Sequence, residues 1–245
     1  MARFTVLIFV LVLHEYAHGW TAYKCGDSTA KQAGRLTLNP LKHFDVPGLL
    51  MMLFLPIGYA KPVPIVPYHF RRPRRDYILV SAAGVIVNIS IAFIMALPFV
   101  AYYEFCTRFI NENAFGEFLL WLLYFFVSID VGLVLFNLLP IFPLDGFRIV
   151  EGLSRPRNPF VVFMRENGTF ILIALFVVNV LIFVLGQAFT IPMWVHYLDI
   201  LGYWLPQGVM AIVNLFAGFW QLILGLQPYP VTEAVRAALA AGGAL

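Results

Sequence analysis

His14-Glu15-Tyr16-Ala17-His18 sets two imidazoles four residues apart, with a carboxylate directly after the first. On a helix, positions i and i+4 share one face. The pair can therefore hold one tetrahedral metal ion, and Glu15 reaches a water on that ion as general base. These residues interrupt an otherwise apolar run from Phe4 to Tyr23. Ionisable groups inside a membrane span are costly and rare without a function. The competing structural reading is a polar helix packed against others, or a span that ends earlier. It needs three ionisable groups in one turn to serve packing alone.

A catalytic zinc site takes three protein ligands and keeps one position open, so two His leave it incomplete. His43 and His69 lie in basic loops and His196 in a loop on the other side, where surface roles are expected. Asp145 is the stronger candidate. It ends the stretch Asn137-Leu-Leu-Pro-Ile-Phe-Pro-Leu-Asp145, which Gly146 follows. Pro140 and Pro143 disrupt a helix, and an unwound polar segment at membrane depth must face protein or a water-filled cavity. A carboxylate buried there needs a partner, and a divalent metal is a good one. From these residues alone, a helix-ending turn with Asp145 at the surface weighs equally, because Pro-Leu-Asp-Gly is also turn chemistry. A carboxylate from another helix, Glu151 or Glu166, is a further alternative. Asp130 lies two turns before Asn137 on the same helical face, where it can line a water path or bridge two helices.

Such residues need apolar elements to position them. Of 245 residues, 61% are hydrophobic and 12% charged, against about half and a quarter in soluble domains. The expected fold is therefore an all-α polytopic membrane protein. Spans of about 20 apolar residues are read at Phe4–Tyr23, Ile78–Tyr103, Phe118–Phe142, Phe170–Phe189 and Tyr203–Leu226. Val46–Ala60 is shorter and carries Pro47, Gly48, Pro56 and Gly58, so it reads as a re-entrant segment. Residues 34–40 alternate polar and apolar and form a candidate short strand or β-hairpin. Lys61–Pro67 is expected to be extended, because its prolines exclude helix and central strand. The first apolar run is interrupted by His14 and Glu15 and is read as a retained span rather than a signal peptide.

Nine of the sixteen Lys and Arg fall between Lys24 and Arg75 and four between Arg148 and Arg165. Cytoplasmic loops are enriched in such residues, so both clusters are assigned to the cytoplasmic face, with the N-terminus outside and the C-terminus inside. This is a membrane topology signal beside anionic lipid headgroups, not a nucleic-acid surface. Cys25 and Cys106 give no disulfide framework.

Together, the two motifs resemble the site-2 protease family of intramembrane zinc metalloproteases, in particular short prokaryotic members without PDZ-like or CBS-like domains. The stretches at 34–48, 60–67 and 82–88 resemble it too, so the likeness covers roughly residues 5–155. It implies one Zn2+ per chain held by His14, His18 and Asp145, with Glu15 as base. It assigns Asn137 and Asn88 to substrate or transition-state binding. Asn88 belongs to a Gly-x-x-x-Asn element that starts at Gly84 and has Val85 where many members have Pro. The division implied is a catalytic membrane core at 1–155 with additional spans at 156–245. The expected substrate is a membrane protein with a transmembrane helix, and the expected location is a prokaryotic inner membrane. The alternative is a non-catalytic membrane scaffold of the same fold.

Overall fold

In a bilayer, long apolar runs can satisfy their backbone only as helices or closed barrels, and this chain takes the helical solution. A computed structural model describes residues 2–44, 61–106, 113–155, 157–233 and 235. Its helices are α1 (Ala2–Cys25), α2 (Thr29–Gln32), α3 (Pro73–Phe105), α4 (Ala114–Asn137), α5 (Asp145–Leu153), α6 (Pro159–Ala188), α7 (Met193–His196) and α8 (Leu205–Ile223). Short 3-10 turns lie at Pro40–Lys42 and Pro67–His69, and a π-helical turn at Ile200–Trp204 leads into α8. Five of these segments are long and apolar enough to cross a membrane: α1, α3, α4, α6 and Ile200–Ile223. The protein is an integral membrane protein of the expected all-α class.

Two boundaries differ from the hydropathy reading, for local reasons. The third span stops at Asn137 rather than Phe142, because Pro140 disfavours helix in the residue before it. The fourth begins at Pro159, eleven residues before the apolar run. Pro159 occupies the first turn, and the Asn158 side chain accepts the Phe160 N–H, so Arg165 and Glu166 belong to the helix.

Residues 34–40 form turns rather than a strand; no strand occurs among the described residues. Local side chains take the backbone groups a ladder would use. Thr37 Oγ1 accepts from the Asn39 N–H at 3.2 Å, Asn39 Oδ1 from the Leu41 N–H at 3.0 Å, and His43 Nε2 donates to the Thr37 carbonyl at 2.7 Å. The segment expected to be re-entrant, 46–60, lies outside the described residues.

α1, α3 and α4 form the centre. Antiparallel packing of α3 on α4 is fixed by Phe99 against Tyr124 (5.7 Å between rings) and by the Tyr102 hydroxyl on the Gly116 carbonyl. Ala92 and Ala96 let the helices approach closely, and they bury Val127 and Val131 together with Val213 and Ala217 of α8. α8 is pinned by Trp220, whose indole N–H donates to the Phe93 carbonyl at 2.8 Å. α6 is peripheral. Phe170, Ile173, Val177 and Phe183 are more than half exposed, as expected of a lipid-facing helix.

Candidate metal centre

His14 and His18 sit in the middle of α1, about 10–17 Å from its Cys25 end at 1.5 Å per residue. Both are buried, as is Asp145 at the first position of α5. His14 Nε2 lies 3.0 Å from His18 Nε2, and Asp145 Oδ2 lies 3.2 and 3.1 Å from the two nitrogens. A zinc ion bound at about 2.0–2.1 Å needs tetrahedral donors about 3.3 Å apart, and the triangle has that size.

The tautomers strengthen the fit. His18 Nδ1 donates to the Val80 carbonyl at 2.7 Å, which leaves Nε2 a bare lone pair. That lone pair faces a carboxylate oxygen and the second imidazole. Bare acceptors converging in a buried site repel one another, so a metal ion or a proton must lie between them. The donor set, two imidazoles and a carboxylate, suits zinc.

Two glycines make the convergence sterically possible. A Cβ on Gly84 would lie 2.5 Å from His14 Cε1 and 2.6 Å from His18 Nε2. α3 therefore meets the imidazoles backbone to ring. A Cβ on Gly146 would run into the Leu138 carbonyl, so α5 can start directly against the end of α4. At its other end, α5 is clamped by Arg74 of α3. The Arg74 guanidinium donates to the carbonyls of Gly152 and Leu153, each at 2.7 Å, and of Ser154 at 3.2 Å. Glu151 accepts from the Tyr77 hydroxyl at 2.6 Å and pairs with Arg165. Glu151 is thus committed elsewhere, and Glu166 is exposed; the alternative third ligands are not at the site.

Glu15 is half-buried beside the triangle. Its Oε2 accepts the Val63 N–H at 2.8 Å. Val63 belongs to the 61–66 strap, which has neither helix nor strand. The strap is tied down by Asp27, whose Oδ2 accepts the Val66 N–H at 2.7 Å and whose Oδ1 takes the Thr29 N–H and the His69 ring. Burial alone would raise the Asp27 carboxyl; the hydrogen bonds from Thr29, Val66 and His69 outweigh that and hold it below the usual carboxylate range. Sequence reasoning missed the Val63 N–H, the Val80 carbonyl, Asp27 and Arg74. Only the first had a signal: Pro62 and Pro64 carry no N–H, so Val63 supplies the one donor between them.

Asn137 closes α4 half-buried, its amide donating to the Leu133 carbonyl at 3.0 Å. Asn88 is fully buried on α3, one turn beyond Gly84, with neither amide atom hydrogen-bonded.

Residues 2–179 match the family model described as Peptidase family M50. The chain is 38% identical over 222 residues to the Bacillus subtilis protein named "Putative zinc metalloprotease YwhC", covering 89% of this chain and 92% of that one. It is 29% identical over 220 residues to "Putative zinc metalloprotease Rip2" of Mycobacterium tuberculosis strain H37Rv, covering 86% of this chain and 78% of the relative. The Rip2 protein of Mycolicibacterium smegmatis is 28% identical over 176 residues, 69% of this chain and 63% of its own. No solved structure matches the chain significantly.

Proposed function

Because the chain belongs to peptidase family M50 and is a zinc metalloprotease of the membrane, we propose that it cleaves a peptide bond in or near a transmembrane segment of a membrane-protein substrate. The observation that supports this most is the burial of His14, His18 and Asp145 among spanning helices, half-way along α1. A soluble peptide has no short route to such a place; a segment arriving through the bilayer does.

In this reading His14, His18 and Asp145 hold the zinc and Glu15 is the base. A zinc ion held there would supply Lewis-acid activation of the scissile carbonyl and of water. Glu15 takes the proton from that water and later gives it to the leaving amine. The Val63 N–H holds one carboxylate oxygen, Oε2, and the proton goes to the other. The Val80 carbonyl keeps the His18 ring turned to the metal. Asn137, at the end of α4, holds the unwound substrate chain in this proposal; a helical peptide bond is shielded and must be opened before attack.

The basic loops at 24–76 and 147–167, with the C-terminus, face the cytoplasm of a prokaryotic inner membrane in this proposal, following the charge bias. Residues 1–155 form the catalytic core and 156–245 add peripheral spans.

The decisive experiment reconstitutes the full chain in liposomes with a single-span substrate and identifies the cut by mass spectrometry. Wild type is expected to cut inside or within a few residues of the span. Glu15→Gln is expected to retain zinc and cut nothing. Cuts confined to a soluble tail, or cleavage by Glu15→Gln, would overturn the reading.

A further inference from the structure

Three buried side chains of α1, α3 and α4 have polar atoms that find no partner among the described residues: His14 at Nδ1, Asn88 at both amide atoms, and Asp130 at both carboxylate oxygens. Asn88 and Asp130 are each 0% exposed. An unpaired carboxylate at membrane depth is among the costliest arrangements a helix can hold.

Their directions converge. Gly132 faces Val209 of α8, and Leu135 faces Gly208. At about 100° per residue, Asp130 points roughly opposite to both, towards α1 and α3. Phe93 carries the α3 contact with Phe216, Phe219 and Trp220 of α8, and Asn88 lies about 140° round the helix from it by the same rule. The α3–α4 contacts of Phe99 with Tyr124 and of Tyr102 with Gly116 put Asp130 between the levels of Asn88 and Phe93. Helical side chains lean towards their own N-terminus, so Asn88 leans back over Gly84. A Cβ at Gly84 would lie 2.7 Å from His14 Nδ1, so that turn is where the free nitrogen sits.

We propose that Asp130 is a positioning residue for the metal centre, acting on His14 Nδ1 through Asn88 and bound water. The chemistry is general. A metal-ligating imidazole almost always donates its second N–H to a carboxylate, carbonyl or water. Polar groups too far apart to bond directly are bridged by water, which needs two to four polar partners in a buried site. Asp130, Asn88 and His14 supply that number. His18 has its outer partner in Val80; Asp130 gives His14 the equivalent at one remove. The proposal rests on His14 as a zinc ligand.

The test compares zinc affinity by chelator competition, kcat and KM, and melting temperature in detergent-purified full chains: wild type, Asp130→Leu, Asp130→Asn, Asn88→Leu and His18→Ala. Asp130→Leu is expected to fold, with a melting temperature equal to or above wild type, because an unpaired buried carboxylate is removed. It is expected to bind zinc about 10- to 100-fold more weakly and to lose kcat with KM held. Asp130→Asn keeps hydrogen-bonding capacity and is expected to lose less; Asn88→Leu should match Asp130→Leu. Wild-type zinc affinity and kcat in all three, beside a zinc-free His18→Ala, would overturn the relay and leave the metal site standing. A wild type without zinc would overturn both. Should Asp130→Leu fail to fold, the near-isosteric Asp130→Asn decides by the same criterion.

Discussion

Gly84 carries the sharpest prediction at the scale of single residues, because its missing side chain is occupied by the His14 and His18 rings. Gly84→Ala forces the imidazoles or the helix to move; overpacking of this kind costs about 1–3 kcal/mol. The variant should purify with little zinc and a lower melting temperature, read by metal analysis and a thermal scan. Asp145→Ala removes the proposed third ligand without crowding, so it should lose zinc while its helices stay intact by circular dichroism. The pentapeptide of α1 was legible in sequence, because two His and a Glu in one apolar turn have few other uses. Asp145 was ambiguous, because Pro-Leu-Asp-Gly is equally good turn chemistry. Three-dimensional proximity to the two imidazoles is what favours Asp145 as the third ligand, and no local pattern could have supplied it.

Among the elements, α5 and the 61–66 strap are each tied down by a distant charged side chain with several hydrogen bonds. Arg74 binds the last carbonyls of α5 and so fixes the helix whose first residue is Asp145. Arg74→Met should loosen that end by roughly 1.5–3 kcal/mol, the range for hydrogen bonds to charged groups, and weaken zinc retention without touching a ligand. Asp27 does the same for the strap. Its folded-state carboxyl lies below the ordinary value of about 3.9, so its contribution is present above that pH and is lost as pH falls through the folded value. Wild type should therefore melt above Asp27→Asn at neutral pH, and the gap should shrink below about pH 4. The spans themselves were readable from apolar length, since nothing else fits a bilayer. Their ends were not: Asn137 and Pro159 are set by proline and capping rather than hydropathy. The 34–40 stretch misled because its alternation is real, yet Thr37, Asn39 and His43 claim its backbone.

For the whole molecule, the helices are arranged as a centre of α1, α3 and α4 with a rim of α6 and α8. α1 and α3 run antiparallel, so Cys25 at the end of α1 and Cys106 at the end of α3 lie at opposite ends of the bundle. A membrane-impermeant thiol reagent should reach them from opposite sides of sealed vesicles, and labelling of both from one side would refute the topology. The charge bias is the sequence signal that proposes that topology, whereas the burial of Asn88 and Asp130 depends on which helices meet.

The Asp145 carboxylate joins His14 and His18 only after α3 and α4 are in place. During synthesis the chain therefore emerges with its histidine pair first and the carboxylate that meets it two spans later. A nascent or prematurely terminated chain has no complete constellation with which to attack its neighbours in the membrane. With His14, His18 and Asp145 as the ligands, competence would arrive only with the assembled bundle, and this division of the three groups over the chain would delay activity until after insertion.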